Sequence, residues 1–212
     1  MEGLSFRSLR SDDFNEVQHV CRLLFPLNYS DEWYRDITSS SKYYTRAGID
    51  NLSRIIALII VEIKSKNDCQ REDYGLLYDD LSDQNVELAY VLSLGVIPDY
   101  RRCGIASFLL TSLIRFLKQE RLDCKAVYLH VLTSNIPAIN FYEYHKFQLF
   151  KYLPQYYLIS NQSADGYCYV CYINGGKGPI FIRITYPFRH LLINAITVHL
   201  QMSGVIVKLT NY

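Results

Sequence analysis

The sequence predicts an α/β domain built around a mixed β-sheet, and three observations support that prediction. Half of the 212 residues are apolar, so the chain can bury a sizeable core. Short runs with strand character alternate with amphipathic segments of helical period along residues 4–173. At residues 90–107 an apolar strand passes through a short turn containing arginine and glycine, directly into a helical segment.

The N-terminal part of the domain should begin with a strand, two helices and two more strands. The predicted strands are residues 4–9, 43–49 and 54–64, and the predicted helices are residues 13–24 and 31–39. Ser11 and Ser30 stand where a side-chain oxygen can cap each helix. Residues 65–86 are polar, carry charges of both signs and show little periodicity. We predict that they form a long mobile loop.

The second half of the domain continues the alternation. The predicted strands are residues 87–96, 126–132, 148–153 and 167–173, and the predicted helices are residues 105–118 and 136–144. Pro137 fits the first turn of the shorter helix, where its missing N–H is not needed. This part of the chain should therefore supply the crossover connections of the sheet.

The charge distribution argues against a nucleic-acid-binding protein. The whole chain has a net charge of +1 at pH 7, of which residues 174–212 contribute +4 and residues 1–173 contribute −3. The domain therefore lacks the basic excess suited to phosphate backbones. The first seven residues contain no hydrophobic run, so we expect no signal peptide, a chain that faces the cytosol, and six reduced cysteines.

Two of the cysteines, Cys168 and Cys171, have the spacing of a metal or redox pair. They lie in the strand-like run 166–173, where residues three apart point to opposite faces. The sequence holds no second pair with this spacing. We therefore predict no metal site.

The turn before the 105–118 helix has the chemistry of an anion site. Backbone N–H groups at a helix N-terminus attract negative charge, and Arg101 and Arg102 add positive charge. Gly104 allows a ligand to approach the backbone closely, because it has no Cβ. Taken alone, the same residues also fit an ordinary strand–turn–helix with a capping glycine.

The Arg-x-x-Gly-x-Ala pattern of residues 101–106 resembles the pyrophosphate-binding loop of the GNAT acyl-CoA N-acyltransferases. Residues 135–143 resemble a second GNAT pattern, Asn-x-x-Ala-x-x-Phe-Tyr-Glu, although Phe141 and Tyr142 also suit a packed helix. The resemblance covers residues 4–173 and implies the GNAT fold, with acetyl-CoA as co-substrate. It implies that cofactor is bound by Leu94, Gly95, Val96, Arg101, Arg102, Cys103, Gly104, Ile105, Ala106, Ser107, Asn135, Tyr142, Glu143, Tyr144 and His145.

Other segments resemble the N-terminal acetyltransferases that prefer an initiator methionine. Residues 25–29 resemble their peptide-binding segment, and residues 152–157 their tyrosine-rich hairpin loop. Residues 33–39, 90–96 and 172–176 look like the Golgi-associated members of this group. The substrate-binding residues that these resemblances imply are Phe25, Pro26, Leu27, Tyr29, Leu92, Tyr156 and Tyr157.

Tyr90 and His130 match the catalytic pair of that group. An amine must be neutral to attack a thioester, and a peptide α-amino group with a pKa near ~8 needs only a modest base such as histidine. Strand alternation predicts one face for Tyr90, Leu92 and Leu94. A backbone N–H near Leu92 would stabilise the oxyanion. Without the resemblance, both catalytic candidates are readily explained as packed core residues.

Residues 174–212 form a separate predicted unit, a membrane-associating tail following the domain of residues 1–173. From Pro187 onward, polar residues recur every three or four positions within an apolar background, which suits an interfacial helix. Residues 190–207 carry no charge, yet eighteen residues barely span a ~30 Å hydrocarbon core, and the stretch contains histidine, asparagine and glutamine. A helix packed on the domain's own surface is the alternative.

The resemblance therefore implies an acetyl-CoA-dependent enzyme that acetylates protein N-termini beginning with Met. Its substrates would be membrane proteins whose N-termini face the cytosol, and it would work at the cytosolic face of the Golgi membrane. Secondary acetylation of histone lysines and a homodimer stay open. Two alternatives remain: a small-molecule or polyamine acetyltransferase of the same fold, and a catalytically silent acetyl-CoA-binding adaptor on membranes.

Overall fold

The computed structural model describes residues 3–25, 29–78, 85–159 and 161–179. Within them, the strands are β1 (Ser5–Arg7), β2 (Tyr43–Ile49), β3 (Ile55–Ser65), β4 (Glu87–Val96), β5 (Cys124–Leu132), β6 (Gln148–Ile159) and β7 (Gln162–Tyr172). The helices are α1 (Phe14–Leu24), α2 (Asp31–Ser39), α3 (Ile105–Glu120) and α4 (Ile136–Tyr144). The predicted order of strands and helices is confirmed. The predicted tail helix from Pro187 lies outside the described residues.

The strands form one mixed sheet in the order β1-β2-β3-β4-β5-β7-β6. Adjacent strands are antiparallel except for β4 and β5, which are parallel. The connection between these two strands contains α3, as a parallel crossover requires. The predicted α/β fold with a mixed sheet is confirmed.

Helices α3 and α4 cover one face of the sheet. Leu109, Leu113 and Leu117 of α3 are fully buried against the odd-numbered residues of β5, such as Val127 and Leu129. Helices α1 and α2 cover the opposite face over β2 and β3. The predicted Ser11 cap of α1 is not formed. Residues Ser11–Asp13 form a 3₁₀ turn before α1, which is held by the Asp13 carboxylate as it accepts from the Arg10 N–H at 2.7 Å and from the Arg7 guanidinium.

The rest of that second face is covered by residues 66–78, contrary to the prediction of a mobile loop over 65–86. This segment forms two 3₁₀ turns, Lys66–Asp68 and Arg71–Asp73. Its Cys69, Leu76 and Leu77 are buried in a cluster with residues of β4, β5 and β7. The buried positions have no regular spacing, so periodicity in the sequence did not indicate them. Residues 79–84 lie outside the described part of the chain.

Strands β4 and β5 separate partway along their length. They pair from Glu87 and Cys124 as far as Tyr90 and Tyr128, and their later residues do not pair with each other. On its other edge β4 has a bulge at Leu92, which the register with β3 skips. Because of this bulge, Leu94 packs on the α3 face, while Tyr90 and Leu92 pack on the opposite face. The prediction that all three share a face is therefore wrong for Leu94.

Candidate active site

The separation of β4 and β5 opens a cleft that contains a cavity of about 160 Å³. It is lined by Phe25, Tyr29, Val91, Leu92, Ser93, Leu94, Leu129, His130, Val131, Leu132, Asn135, Ala138, Tyr142, Tyr157 and Ile159. This lining includes His130 of the predicted catalytic pair. It also includes some of the predicted cofactor-binding residues and some of the predicted peptide-binding residues. A larger cavity of about 310 Å³ lies between residues 66–77 and Leu88, where no predicted cofactor-binding residue is found.

His130 is the centre of a buried hydrogen-bond network. Its Nε2 lies 2.8 Å from an Asp73 carboxylate oxygen, and the other Asp73 oxygen accepts from the Tyr128 hydroxyl at 3.0 Å. Its Nδ1 lies 3.0 Å from the Tyr90 hydroxyl and 2.6 Å from the Tyr156 hydroxyl. The side chains of His130 and Asp73 are 2% and 1% exposed. The His130–Asp73 pair is therefore shielded from bulk water.

The network fixes which nitrogen of His130 can act as a base. An ionised Asp73 carboxylate can only accept, so the hydrogen between Asp73 and His130 sits on Nε2. Nδ1 then presents a lone pair to the two phenols. Burial raises the pKa of Tyr90 well above its ordinary value and that of Tyr156 to about 12, so both phenols stay protonated and act as donors.

Tyr156 reaches His130 because β6 is irregular. Between Leu153 and Tyr157 the strand contains two more residues than the facing stretch of β7, and Gln155 within this bulge has a φ of +52°. Gly166 on β7 makes room for the tyrosines, because a Cβ there would lie 3.1 Å from the Tyr157 ring. The predicted hairpin loop at 152–157 is therefore a bulge within a strand.

The predicted pyrophosphate loop leads into α3 as expected. Gly104 is the N-cap of α3 with a φ of +77°, and Arg102 has a φ of +65°. Because glycine provides no capping side chain, the first-turn N–H groups of α3 are left for a ligand. The exposed Arg101 donates to the Val96 carbonyl at 3.0 Å, which ties the loop to the end of β4.

Helix α4 forms the adjoining wall of the cleft. Asn135 caps it by accepting from the Ala138 N–H at 3.2 Å. Tyr142 is buried at the cleft wall, and burial raises its pKa, so its phenol is a proton donor. Glu143 accepts from Tyr169 of β7 at 2.7 Å, which gives this predicted cofactor residue a structural contact. Tyr144 is 78% exposed.

The C-terminal end of α4 is joined to the first turn of α3. The Ser107 hydroxyl lies 2.9 Å from His145 Nε2, and burial lowers the pKa of this imidazole. The two elements that resemble the GNAT cofactor motifs are therefore held together by a direct hydrogen bond, which neither motif revealed on its own.

Phe25 and Tyr29 stand at the α1 side of the cleft, and Pro26 and Leu27 of the same predicted segment lie outside the described residues. Gly95 faces this side, because a Cβ there would lie 3.0 Å from the Phe25 ring and 2.7 Å from Leu24. Its small size thus accommodates the aromatic wall, in addition to any role at the cofactor. The hydroxyl of Ser93 is buried in the same wall.

Asp73, His130 and Cys168 bring three donor atoms within 4.8 Å of one another, which raises the question of a metal ion. Two of these atoms are 2.8 Å apart, a hydrogen-bond distance. Ligands at the ~2.0–2.2 Å bond lengths of a tetrahedral zinc would lie roughly 3.3 Å or more apart. The geometry thus fits a hydrogen-bonded dyad. Cys168 and Cys171 pack on opposite faces of β7, as predicted.

Sequence reasoning missed Asp73, Tyr128 and Gly166. Asp73 lies in a polar run that gives no periodic signal, and its partner His130 is 57 residues away. The sequence places Tyr128 only within the predicted strand 126–132, whereas its hydroxyl donates to Asp73 in the structure. The function of Gly166 depends on the bulge opposite it, which no local pattern indicates.

The fold and this arrangement define a member of a known enzyme class. Residues 15–147 match the model of the acetyltransferase (GNAT) family, and the chain belongs to that family. The N-alpha-acetyltransferase 60 of Xenopus tropicalis is 44% identical over 174 residues, which cover 82% of this chain and 71% of that protein. The protein of the same name from Danio rerio is 42% identical over 180 residues, covering 84% and 74%.

Among solved structures, Arabidopsis thaliana NAA60 in complex with acetyl-CoA is similar to this protein. The TM-score is 0.73 at 29% sequence identity, and the match covers 81% of this chain and 99% of that one. The same Arabidopsis protein has also been solved with a bisubstrate analogue. The fold and family predicted from the sequence are therefore confirmed.

Replacing Gly104 with valine should abolish acetyl-CoA binding while the protein stays folded. The φ of +77° is unfavourable for a branched residue, at a cost of about 1–3 kcal/mol, and the new side chain would stand where the diphosphate is predicted. Apart from the adjoining backbone, no atom of the described residues lies within 4 Å of the added Cβ. Titration calorimetry measures the affinity and thermal unfolding measures the fold.

Gly3→Val is the matched control, since Gly3 has the same φ of +77° and equally open surroundings far along the chain from the loop. It should bind acetyl-CoA as the unaltered protein does. Unchanged affinity in Gly104→Val would remove this loop from the cofactor site.

Proposed function

We propose that the protein is an acetyl-CoA-dependent N-α-acetyltransferase that modifies protein N-termini beginning with methionine. The observation that carries this proposal is the buried Asp73–His130 pair at the wall of the cleft between β4 and β5. The uncapped N-terminus of α3 adjoins the end of β4, and Phe25, Tyr29 and Tyr157 line the cleft.

The enzyme class predicted from the sequence, an N-α-acetyltransferase that uses acetyl-CoA, is confirmed by relatives of that name at 42–44% identity. The finer statements about the first residue, the membrane and the site of action are proposals. They rest on the residues of the cleft and on the sequence resemblance.

Deprotonation of the incoming amine follows from the tautomer of His130. The lone pair of Nδ1 accepts a proton from Tyr90 or Tyr156, and that phenol takes a proton from the amine directly or through water. The resulting imidazolium is paired with the Asp73 carboxylate at 2.8 Å. An α-amine with a pKa near ~8 needs only this modest help at neutral pH.

The neutral amine then attacks the thioester carbonyl. As the N–C bond forms, negative charge develops on the carbonyl oxygen, and the backbone of Leu92 is placed to stabilise it because the bulge leaves this residue without a partner in the β3–β4 register. The C–S bond breaks, and the protonated phenol of Tyr142 at the cleft wall gives its proton to the departing thiolate. As the intermediate collapses, the nitrogen loses its second proton to solvent and Tyr142 regains a proton from solvent. The His130 imidazolium also releases its proton to solvent, so the net products are the amide, the CoA thiol and one proton.

The preference for methionine is supported by the composition of the cleft. Phe25, Leu92, Leu132 and Ile159 provide an apolar wall, and Tyr29 and Tyr157 add aromatic surface with which a thioether packs favourably. No acidic side chain lines the cavity in the described part of the chain. A polyamine carries several positive charges and would require such groups. Lysine is the weaker acceptor because its amine, with a pKa near ~10.4, is mostly charged at neutral pH.

The proposed site of action is the cytosolic face of the Golgi membrane, with the tail of residues 174–212 as the attachment. The charge of +4 on these residues and the polar stripe from Pro187 onward support an interfacial helix. Among the described residues, no helix has both the length and the apolar character needed to cross a membrane. A homodimer is supported by the sequence resemblance only.

An acetylation assay with peptides that vary in the first two residues tests the function directly. We expect turnover with Met-initiated peptides to exceed that with Ser- or Ala-initiated peptides by 10-fold or more, because one well-filled apolar subsite discriminates by about 1–3 kcal/mol. Spermidine and a peptide with a blocked N-terminus and one lysine are the comparison substrates. Faster turnover of spermidine, or acetyl-CoA binding without any turnover, would contradict the proposal.

Loss of either catalytic side chain should reduce kcat without weakening acetyl-CoA binding. Tyr90→Phe removes a donor to Nδ1, and His130→Ala removes the base, for which general acid–base catalysis suggests a loss of ~10²–10⁴-fold. His19→Ala, an exposed histidine on α1, is the matched control. Wild-type turnover in both Tyr90→Phe and His130→Ala would show that the pair is structural.

Removing the tail should separate activity from membrane binding. A chain ending at Gly178 retains every residue of the cleft and should acetylate a soluble Met-initiated peptide normally, yet fail to float with vesicles of anionic lipid. Leu192→Glu with Ile196→Glu should also release the protein, since charge opposes burial in lipid. Leu52→Glu with Leu122→Glu, at exposed positions of the domain, is the matched control. Retained flotation of the shortened chain would show that the domain itself binds lipid.

A further inference from the structure

The residues that follow β7 are hydrogen-bonded to the end of α3 and the start of β5. We call residues 173–178 the C-terminal strap. Ile173 donates its N–H to the Lys125 carbonyl at 2.9 Å, and Gly176 closes a turn by donating to the Ile173 carbonyl at 2.8 Å. The side-chain amide of Asn174 donates to three carbonyls at the end of α3 and the start of β5, those of Leu117, Arg121 and Cys124.

Two glycines allow the strap to lie this close. A Cβ on Gly176 would fall 2.0 Å from the Lys125 carbonyl oxygen, and a Cβ on Gly178 would fall 2.3 Å from the Tyr172 hydroxyl. Neither distance is tolerable for real atoms. The path of the strap is therefore fixed by direct backbone contact, and the sequence Gly-Gly-x-Gly has a packing role as well as marking a boundary.

The strap also contacts the segment that carries Asp73. The Tyr172 hydroxyl, at the end of β7, donates to the Leu76 carbonyl at 2.8 Å. The Tyr78 N–H donates to the Lys177 carbonyl at 2.8 Å. These two hydrogen bonds attach residues 76–78 to the end of β7 and to the strap. Leu76 in turn donates its N–H to the Asp73 carbonyl, at 3.4 Å.

We infer that Tyr172 and the C-terminal strap are positioning elements of the active site, because their hydrogen bonds to residues 76–78 hold Asp73 against His130 and Tyr128. Asp73 is a buried carboxylate at the end of a 3₁₀ turn, in a segment that contains no α-helix or strand, so its place depends on how that segment is anchored. Upstream, Asp73 donates its N–H to the Gln70 carbonyl at 2.9 Å. Downstream, the anchors are the buried Leu76 and Leu77 and the two bonds to Tyr172 and Lys177.

This inference rests on the proposed function, since it assigns the strap a role in the chemistry of His130. The strap is also the stretch that connects the domain to the predicted membrane tail, and its Lys177 carbonyl accepts from the Tyr78 N–H of the Asp73 segment.

Tyr172→Phe is the decisive variant because it removes one hydroxyl and leaves the buried ring in place. We expect kcat for a Met-initiated peptide to fall by about 3- to 10-fold, the effect of one hydrogen bond, while acetyl-CoA affinity stays unchanged. The pH–rate profile should change in the same direction as in Asp73→Asn. Tyr167→Phe, on the same strand, is the matched control and should match the unaltered protein.

A double-mutant cycle distinguishes positioning from general destabilisation. If Tyr172 acts through Asp73, then Tyr172→Phe should have no further effect on kcat in an Asp73→Asn background. Gly178→Ala, which crowds the Tyr172 hydroxyl, should behave like Tyr172→Phe. Wild-type kcat in Tyr172→Phe, or a loss that adds fully to that of Asp73→Asn, would overturn the inference.

Proton NMR of the His130 ring provides a readout that does not need turnover. A downfield Nε2–H signal is expected from its bond to Asp73, and it should broaden or shift in Tyr172→Phe but not in Tyr167→Phe. If the wild-type protein shows this pattern but is inactive, the proposed function is contradicted and the positioning role of the strap is supported. If the wild-type protein is fully active and neither the NMR signal nor kcat changes in Tyr172→Phe, the proposed function is supported and the positioning role of the strap is contradicted.

Discussion

Everything at the site depends on the parting of β4 from β5. The two strands pair only as far as Tyr90 and Tyr128, so beyond that point each strand keeps a partner on its outer edge and leaves its inner edge open. Open backbone edges inside a protein are unfavourable unless a ligand or water meets them. The parting is therefore a structural cost that a substrate lying between the strands can offset. The bulge at Leu92 adds to it by turning the β4 backbone away from its regular ladder.

A second constraint is the burial of Asp73 beside His130. A desolvated carboxylate is tolerable only when its oxygens are hydrogen-bonded, and here the Tyr128 hydroxyl and the His130 ring satisfy one oxygen each. Such a network loses much of its value if one member moves. Segment 66–78 is thus part of the active site although it contains no regular helix or strand. Its packing against β4, β5 and β7 holds Asp73 beside His130, the proposed base.

The sequence predicted the elements well because their signals are local. The helical spacing of apolar residues in α3 is visible within its sixteen residues. The residues that indicate an anion site in the Arg-x-x-Gly-x-Ala turn all lie within six positions of the sequence. It predicted the site less well where residues far apart must meet, as with Asp73 and His130. Bulges were the other source of error. The one extra residue at Leu92 shifts the face of the residues that follow it, and a strict period of two cannot detect that. The two extra residues between Leu153 and Tyr157 keep the alternation but form a bulge that the sequence pattern does not reveal. This is why Leu94 was misplaced and Tyr156 assigned to a loop.

In the proposed mechanism, the tyrosines around His130 determine the route of the proton. Burial raises the pKa of Tyr90, Tyr128 and Tyr156, so each phenol holds its proton and none can serve as a base on its own. Tyr128 donates to Asp73, which leaves Tyr90 and Tyr156 to share one lone pair on Nδ1. Only one of them can donate to that lone pair at a time, and the other is close enough to hydrogen-bond with its neighbouring phenol. In the proposed mechanism, two donors at one acceptor form a relay in which a phenol passes a proton to Nδ1 only as it gains one from the amine, and the charge comes to rest on the imidazolium beside Asp73.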